Sequence, residues 1–184
     1  GISKENRVCI SEMIEGAGRE VVYYEIPDFE LMFGQPVDTK RWNINVYSKL
    51  FAASILPENI EKVISIDCDT VIMHSLIELW NLDMDNKVVA GVNECISKYY
   101  RRVLGKKDRD YYFNSGVLVF NLSEIRSRQY ESKFLACMQK YGSSLAYLDQ
   151  DVVNAVVEQD LMLLLPLKYN SITPIFIVEF ERYK

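Results

Sequence analysis

Residues 62–73 read KVISIDCDTVIM. The first half, Val63-Ile64-Ser65-Ile66, is a β-branched run of the kind expected for a strand buried on both faces. It delivers two carboxylates one residue apart, Asp67 and Asp69, and then turns apolar again. Charge at the end of a buried strand is costly unless something positive meets it. In an extended segment residues i and i+2 point the same way, so Asp67 and Asp69 are expected to face one cation together. Cys68 between them is expected on the other side, as buried packing. Two hard oxygen ligands suit Mg²⁺ or Mn²⁺, which complete their shells with phosphate oxygens and water. The competing reading is a strand that ends in a turn, its Asp accepting backbone hydrogen bonds.

Around this stretch the pattern alternates helices and strands. Residues 7–15 carry apolar side chains at helical spacing and stop at Gly16-Ala17-Gly18. Residues 21–26 are rich in β-formers. Ile44, Tyr47, Phe51 and Ile55 mark one side of a helix over 44–55 that ends before Pro57. Strands are expected at 87–92, 115–121 and 161–165. A helix whose stripe is Tyr130, Phe134, Met138 and Tyr141, capped by Ser123, is expected to run to Gly142, and a short one to cover 149–158. No linker divides the chain, so residues 1–184 are read as one α/β domain with a mostly parallel central sheet flanked by helices. Ligands gather at the carboxyl ends of strands in such sheets. Asp67 and Asp69 sit at one such end, Asn93 and Glu94 at another, and the polar residues of YFNSG just before a third strand.

Composition narrows the field. The 184 residues are 49% hydrophobic and 26% charged, an ordinary globular balance, with a net charge of −5. That charge gives no support to nucleic-acid binding. The basic cluster at 98–109, KYYRRVLGKKDR, is read as a solvated face. The four cysteines, Cys9, Cys68, Cys95 and Cys137, are far apart and read as reduced, mostly buried thiols of a cytoplasmic protein. The single histidine, His74, excludes any His-rich metal site and is expected to be structural, at the sheet edge. No apolar run has the length of a membrane span.

Five ordered blocks then make a more specific pattern. YSKLFAASILPENIEKVISIDCDTVI is followed by YFNSGVLVFNL, LDQDVVN and LPLKYN, and GISKEN opens the chain. Together they resemble glycosyltransferase family 8, the retaining group that includes lipopolysaccharide galactosyl- and glucosyltransferases and glycogenin. The resemblance implies a GT-A nucleotide-diphospho-sugar transferase fold, incomplete at both ends, and a Mn²⁺ (or Mg²⁺) cofactor. It implies a UDP-hexose donor and a glycan or lipopolysaccharide acceptor, with no nucleic acid, and a peripheral membrane association only through segments outside the chain. Asp67 and Asp69 would hold the metal against the diphosphate. Lys49, where the family usually has Arg, would contact the donor, losing the bidentate fork. Asn114 would bond the donor sugar or acceptor, and Asp149 and Gln150 would lie beside the transferred sugar as catalytic residues. The family's third metal ligand, a histidine followed by a Lys-Pro-Trp-like segment, is not in this sequence. Two alternatives stay open. One is a Mg²⁺-dependent phosphatase of the haloacid-dehalogenase type, which also uses a hydrophobic run and Asp-x-Asp. The other is a degenerate domain of the same fold that binds a glycan without turnover.

Overall fold

The computed structural model describes residues 2–33 and 43–171. Its helices are α1 (Lys4–Gly16), α2 (Phe29–Phe33), α3 (Ala52–Ile55), α4 (Ile77–Trp80), α5 (Lys98–Val103), α6 (Leu122–Ser127), α7 (Tyr130–Tyr141) and α8 (Leu148–Val156). The strands are β1 (Lys62–Ile66), β2 (Val89–Asn93), β3 (Phe113–Asn121) and β4 (Met162–Leu165). They form one sheet in the order β1-β3-β2-β4.

The sheet is less parallel than its sequence suggested. β2 and β4 pair parallel, from Val89 opposite Met162 to Val92 opposite Leu165. β3, however, runs antiparallel to both of its neighbours, β1 and β2. The reason lies in the 94–112 connection, which returns on itself instead of crossing over the sheet. The Glu94 N–H donates to the Tyr112 carbonyl at 2.7 Å. Inside the connection the buried Arg101 guanidinium donates to the carbonyls of both Glu94 and Asp110. β3 therefore starts at the edge where β1, β2 and β4 end, and this is what brings the YFNSG residues there.

Alternation along β3 feeds two cores. Leu118 and Phe120 pack with Val89, Tyr47, Leu50, Phe134 and Val152 on one face. Val117 and Val119 pack with Ala90, Val92, Leu79 and Leu165 on the other. The expectation that 63–66 is buried on both faces fails: β1 is half-buried throughout, because it is the sheet's edge among the described residues. Residues 21–26 form no strand, having no pairing partner among the described residues.

Residues Ile44–Phe51 wind as a tighter 3₁₀ helix and become α-helical only from Ala52. Ile44, Val46, Tyr47 and Phe51 are all weak helix formers. The tighter spiral still buries Tyr47, Leu50 and Phe51. The expected helix cap at Ser123 belongs to Asn121, whose side chain accepts the Glu124 N–H. Gln129, at φ 55°, separates α6 from α7. Tyr130, Phe134 and Met138 are buried as expected, while Tyr141 is exposed.

The loop that leads into β1 is gathered around one side chain. The Arg126 guanidinium donates to the carbonyls of Ala53, Leu56, Pro57, Glu58 and Ile60, at 2.9 to 3.3 Å. The thiols are not mostly buried: Cys9, Cys68 and Cys95 are exposed and Cys137 alone is enclosed. No helix among the described residues is long and apolar enough to cross a membrane.

Candidate active site

A cleft of about 1040 Å³ opens at the edge where β1 and β2 end and β3 begins. Asp67, Asp69, Glu94, Asn114 and Asn170 line it, together with the 70–78 loop and Lys168. The two aspartates do not share the cleft by strand alternation. The chain leaves the sheet at Ile66, and the Thr70 N–H bonds back to the Asp67 carbonyl at 3.1 Å, so a turn carries Cys68 and Asp69. This is also why Cys68 is exposed rather than packed.

Lys49 sits behind that turn, its side chain 15% exposed. Its ammonium lies 2.5 Å from Asp67 Oδ1 and 3.2 Å from Asp149 Oδ2, and donates to the Ser115 carbonyl at 3.1 Å. The Asp149 contact has the distance of an ion pair but not the alignment of a hydrogen bond, and Oδ2 has no hydrogen-bonding partner. Burial is the largest influence on Lys49 and disfavours its charge, yet Asp149 and Asp67 outweigh it and hold the pKa above the ordinary lysine value. For Asp149 burial prevails, and its pKa lies above the usual carboxylate range despite Lys49. The two shifts pull in opposite senses because one ammonium serves two carboxylates, while Asp149 has only a share of it and is repelled by Asp67. Lys49 is charged; Asp149 is the partner whose ionisation is under strain.

The block LDQDVVN builds the wall behind the cleft. Leu148 adopts φ 42°, a left-handed conformation that costs a branched residue about 1 kcal/mol or more, and it starts α8. The next three side chains spread over roughly 200° of helix. All three are nonetheless buried, at 8% exposure or less, because each meets a different element. Asp149 meets Lys49. The Gln150 carbonyl oxygen accepts the Ser115 N–H at 3.0 Å, and its amide nitrogen donates to Glu94 and Tyr112. Asp151 accepts from the hydroxyls of Tyr100 and Tyr112, both at 2.6 Å, and from the Tyr147 N–H. Burial, followed by Asp151, pushes both tyrosines' pKa values up. One turn on, Asn154 grips the backbone of Phe113, accepting its N–H and donating to its carbonyl.

That grip shapes the start of β3. Gly91 pairs with Leu118 but Asn93 pairs with Phe113, so residues 114–117 stand outside the β2 ladder. Asn114 is thereby turned into the cleft. Its side-chain oxygen accepts from the Gly116 N–H and from Asn170, each at 2.8 Å, and its nitrogen donates to Glu94 at 3.0 Å. A side chain at Gly116 would place Cβ 2.9 Å from that oxygen, so any larger residue there would push the Asn114 amide out of this position.

Of the residues singled out in the sequence, Asp67, Asp69 and Asn114 line the cleft, while Lys49, Asp149 and Gln150 stand behind its wall. His74 is not a structural sheet-edge residue: it is exposed on the loop and lines the cleft. No group of three His, Cys, Asp or Glu side chains of metal-binding size occurs among the described residues. Asp67 and Asp69 are the carboxylates that could hold an ion here, one that would need its remaining ligands from phosphate and water. Sequence reading placed Glu94 at a strand end where ligands gather but gave it no role, and it missed Asn170, whose signal was its place closing LPLKYN.

The fold is that of the GT-A glycosyltransferases. The structure of the galactosyltransferase LgtC, solved with donor and acceptor sugar analogs, superposes with a TM-score of 0.85 over 97% of this chain and 64% of that one, at 23% identity. A sequence model of glycosyl transferase family 8 matches residues 4–181, and the chain belongs to that family. Lipopolysaccharide 1,2-glucosyltransferase of Escherichia coli (strain K12) is 28% identical over 137 residues, 73% of this chain and 40% of that protein. General stress protein A of Bacillus subtilis (strain 168) is 25% identical over 160 residues, 85% of this chain and 55% of that protein. The chain spans about half the length of the curated relatives it matches. Family and fold together set aside the phosphatase reading.

Proposed function

We propose that the protein is a metal-dependent, retaining glycosyltransferase that moves a hexose from a UDP-sugar to a hydroxyl of a glycan or lipopolysaccharide acceptor. The observation that carries this reading is the convergence of Asp67, Asp69, Glu94, Asn114 and Asn170 on one cleft. These five carboxylate and amide side chains suit a cation and sugar hydroxyls together, and apolar residues of the 70–78 loop line much of the rest.

A Mn²⁺ or Mg²⁺ ion held by Asp67 and Asp69 would neutralise charge on the departing nucleoside diphosphate. Lys49 occupies Asp67 Oδ1 and so fixes which carboxylate oxygen remains for the cleft. Asn114 is the amide that faces the sugar, its orientation set by Gly116, Asn170 and Glu94. Asp149 and Gln150 work from behind, holding Lys49 and Ser115.

Calorimetric titration of UDP into the chain, with Mn²⁺ and with EDTA, tests the donor site. Binding that needs the metal and is lost in Asp69→Asn is the expected result. Tight binding indifferent to both would remove the carboxylates from the donor site. No binding at all would favour the degenerate-domain alternative.

A further inference from the structure

Glu94 directly follows β2, and the reading above uses it only as a cleft-lining group and as one of the partners of Asn114. Its position is fixed twice through its backbone: its N–H bonds the Tyr112 carbonyl, and its carbonyl accepts from Arg101. Its side chain lines the cleft, and one oxygen, Oε2, accepts from two amides at once. Asn114 Nδ2 donates at 3.0 Å and Gln150 Nε2 at 2.8 Å. These two amides come from different elements, β3 and α8.

An ionised carboxylate only accepts, so each amide must present nitrogen, not oxygen, to Glu94. The rest of the network agrees with that choice. Gln150 has a second N–H, and it goes to the Tyr112 hydroxyl at 3.1 Å. That hydroxyl has already given its proton to Asp151 and can only accept there. Turned over, Gln150 would set its oxygen against both the Glu94 carboxylate and a tyrosine oxygen with no proton to offer. Turned over, Asn114 would lose the Gly116 and Asn170 donors as well as Glu94.

We propose that Glu94 is a positioning residue whose single oxygen sets the orientation of the Asn114 and Gln150 amides together. The carbonyl oxygens of both are thereby committed to the 115–116 backbone, which frames the cleft floor. This use of the site rests on the sugar-transfer reading, but the geometry it asserts does not.

The test compares Glu94→Gln, Glu94→Asp and Glu94→Ala in the 184-residue chain. Gln keeps an oxygen at the same reach without the charge. Asp keeps the charge but withdraws the oxygen by about one bond length. The first readout is the side-chain NH₂ resonances of Asn114 and Gln150 by ¹⁵N NMR, assigned through Asn114→Asp and Gln150→Glu. In wild type and Glu94→Gln both NH₂ groups are expected to be slowed in hydrogen exchange. In Glu94→Asp and Glu94→Ala both are expected to exchange about ten-fold faster. Should Asp behave as wild type and Gln as Ala, charge and not reach is what matters, and the proposal fails. It also fails if neither amide moves in any variant. If Glu94→Ala does not fold, Glu94→Asp against Glu94→Gln carries the same decision.

The second readout is steady-state transfer from a UDP-hexose. A lowered kcat, roughly 30-fold in Glu94→Asp with donor KM within about three-fold, is expected of lost positioning, with recovery in Glu94→Gln. A raised KM with unchanged kcat would make Glu94 a plain binding group and overturn the positioning role. If the wild-type chain shows no metal-dependent UDP binding, the sugar-transfer reading falls, and the NMR comparison still decides for or against Glu94.

Discussion

The two walls of the cleft are built in opposite ways. On the α8 side, Gln150, Asp151 and Asn154 are buried and hydrogen-bonded to named partners, and Asp149 is buried in an ion pair with Lys49. On the other side the 67–78 loop carries Val71, Ile72, Met73 and Ile77 exposed, and Asp69 stands open on a turn. The first wall is finished before any ligand arrives. The second leaves Asp69 open and Asp67 engaged through Oδ1 by Lys49, and under the proposed function a cation supplied from outside would complete it. Rigid polar networks set geometry at the expense of stability when disturbed, whereas open loops lose little when altered.

The comparison is most exposed to refutation at Asn154. Asn154→Ala leaves both backbone groups of Phe113 unpaired in the core and should cost about 3 kcal/mol. That corresponds to a melting point lower by roughly 6–12 °C for a chain this size, measured calorimetrically. A shift under about 2 °C would mean the wall is not preassembled. Asp69→Asn belongs to the other wall. It should weaken Mn²⁺-dependent UDP binding about 100-fold, or roughly 2.7 kcal/mol, while the ligand-free melting point stays put.

Gly91→Ala comes next. Its Cβ would meet the Phe113 ring at 2.7 Å and Leu118 at 2.8 Å, so about 1–3 kcal/mol of overpacking is expected in denaturant melts. A companion Phe113→Leu should relieve part of that loss.

Asp149 sharpens the electrostatics. Its folded pKa lies above the ordinary carboxylate value, so the folded chain holds the proton more tightly than the unfolded one. Ionising it as pH climbs above about 4 therefore subtracts stability. Relative to wild type, Asp149→Asn should gain stability as pH rises above about 4 in parallel melts, and a flat difference would contradict the assignment. Smallest of all, Ile72→Ser on the open loop should stay within about 0.5 kcal/mol of wild type.

Sequence reading reached the open wall more easily than the closed one. Asp67 and Asp69 stand out because two carboxylates follow an apolar strand, although a strand ending in a turn competed with the metal reading and a turn is what carries Asp69. Lys49 and Asp149 were found through the family blocks, but their pairing was not visible, since they lie a hundred residues apart in sequence. The orientation of β3 was misjudged because periodicity reports burial and not direction, and what decides direction is Arg101 bonding both ends of the 94–112 connection. Glu94 went unassigned for a related reason. Its importance comes from two amides that reach it from other elements, and nothing in VNECIS encodes them.

The guanidinium of Arg126, ringed by five carbonyls ahead of β1, has a practical corollary. It does for that loop what a bound calcium does elsewhere, yet it is covalently attached and cannot be stripped by a chelator. Withdrawing divalent ions should leave the approach to Asp67 intact. The change that EDTA produces in this protein should then report on the donor cleft and not on the scaffold that delivers it.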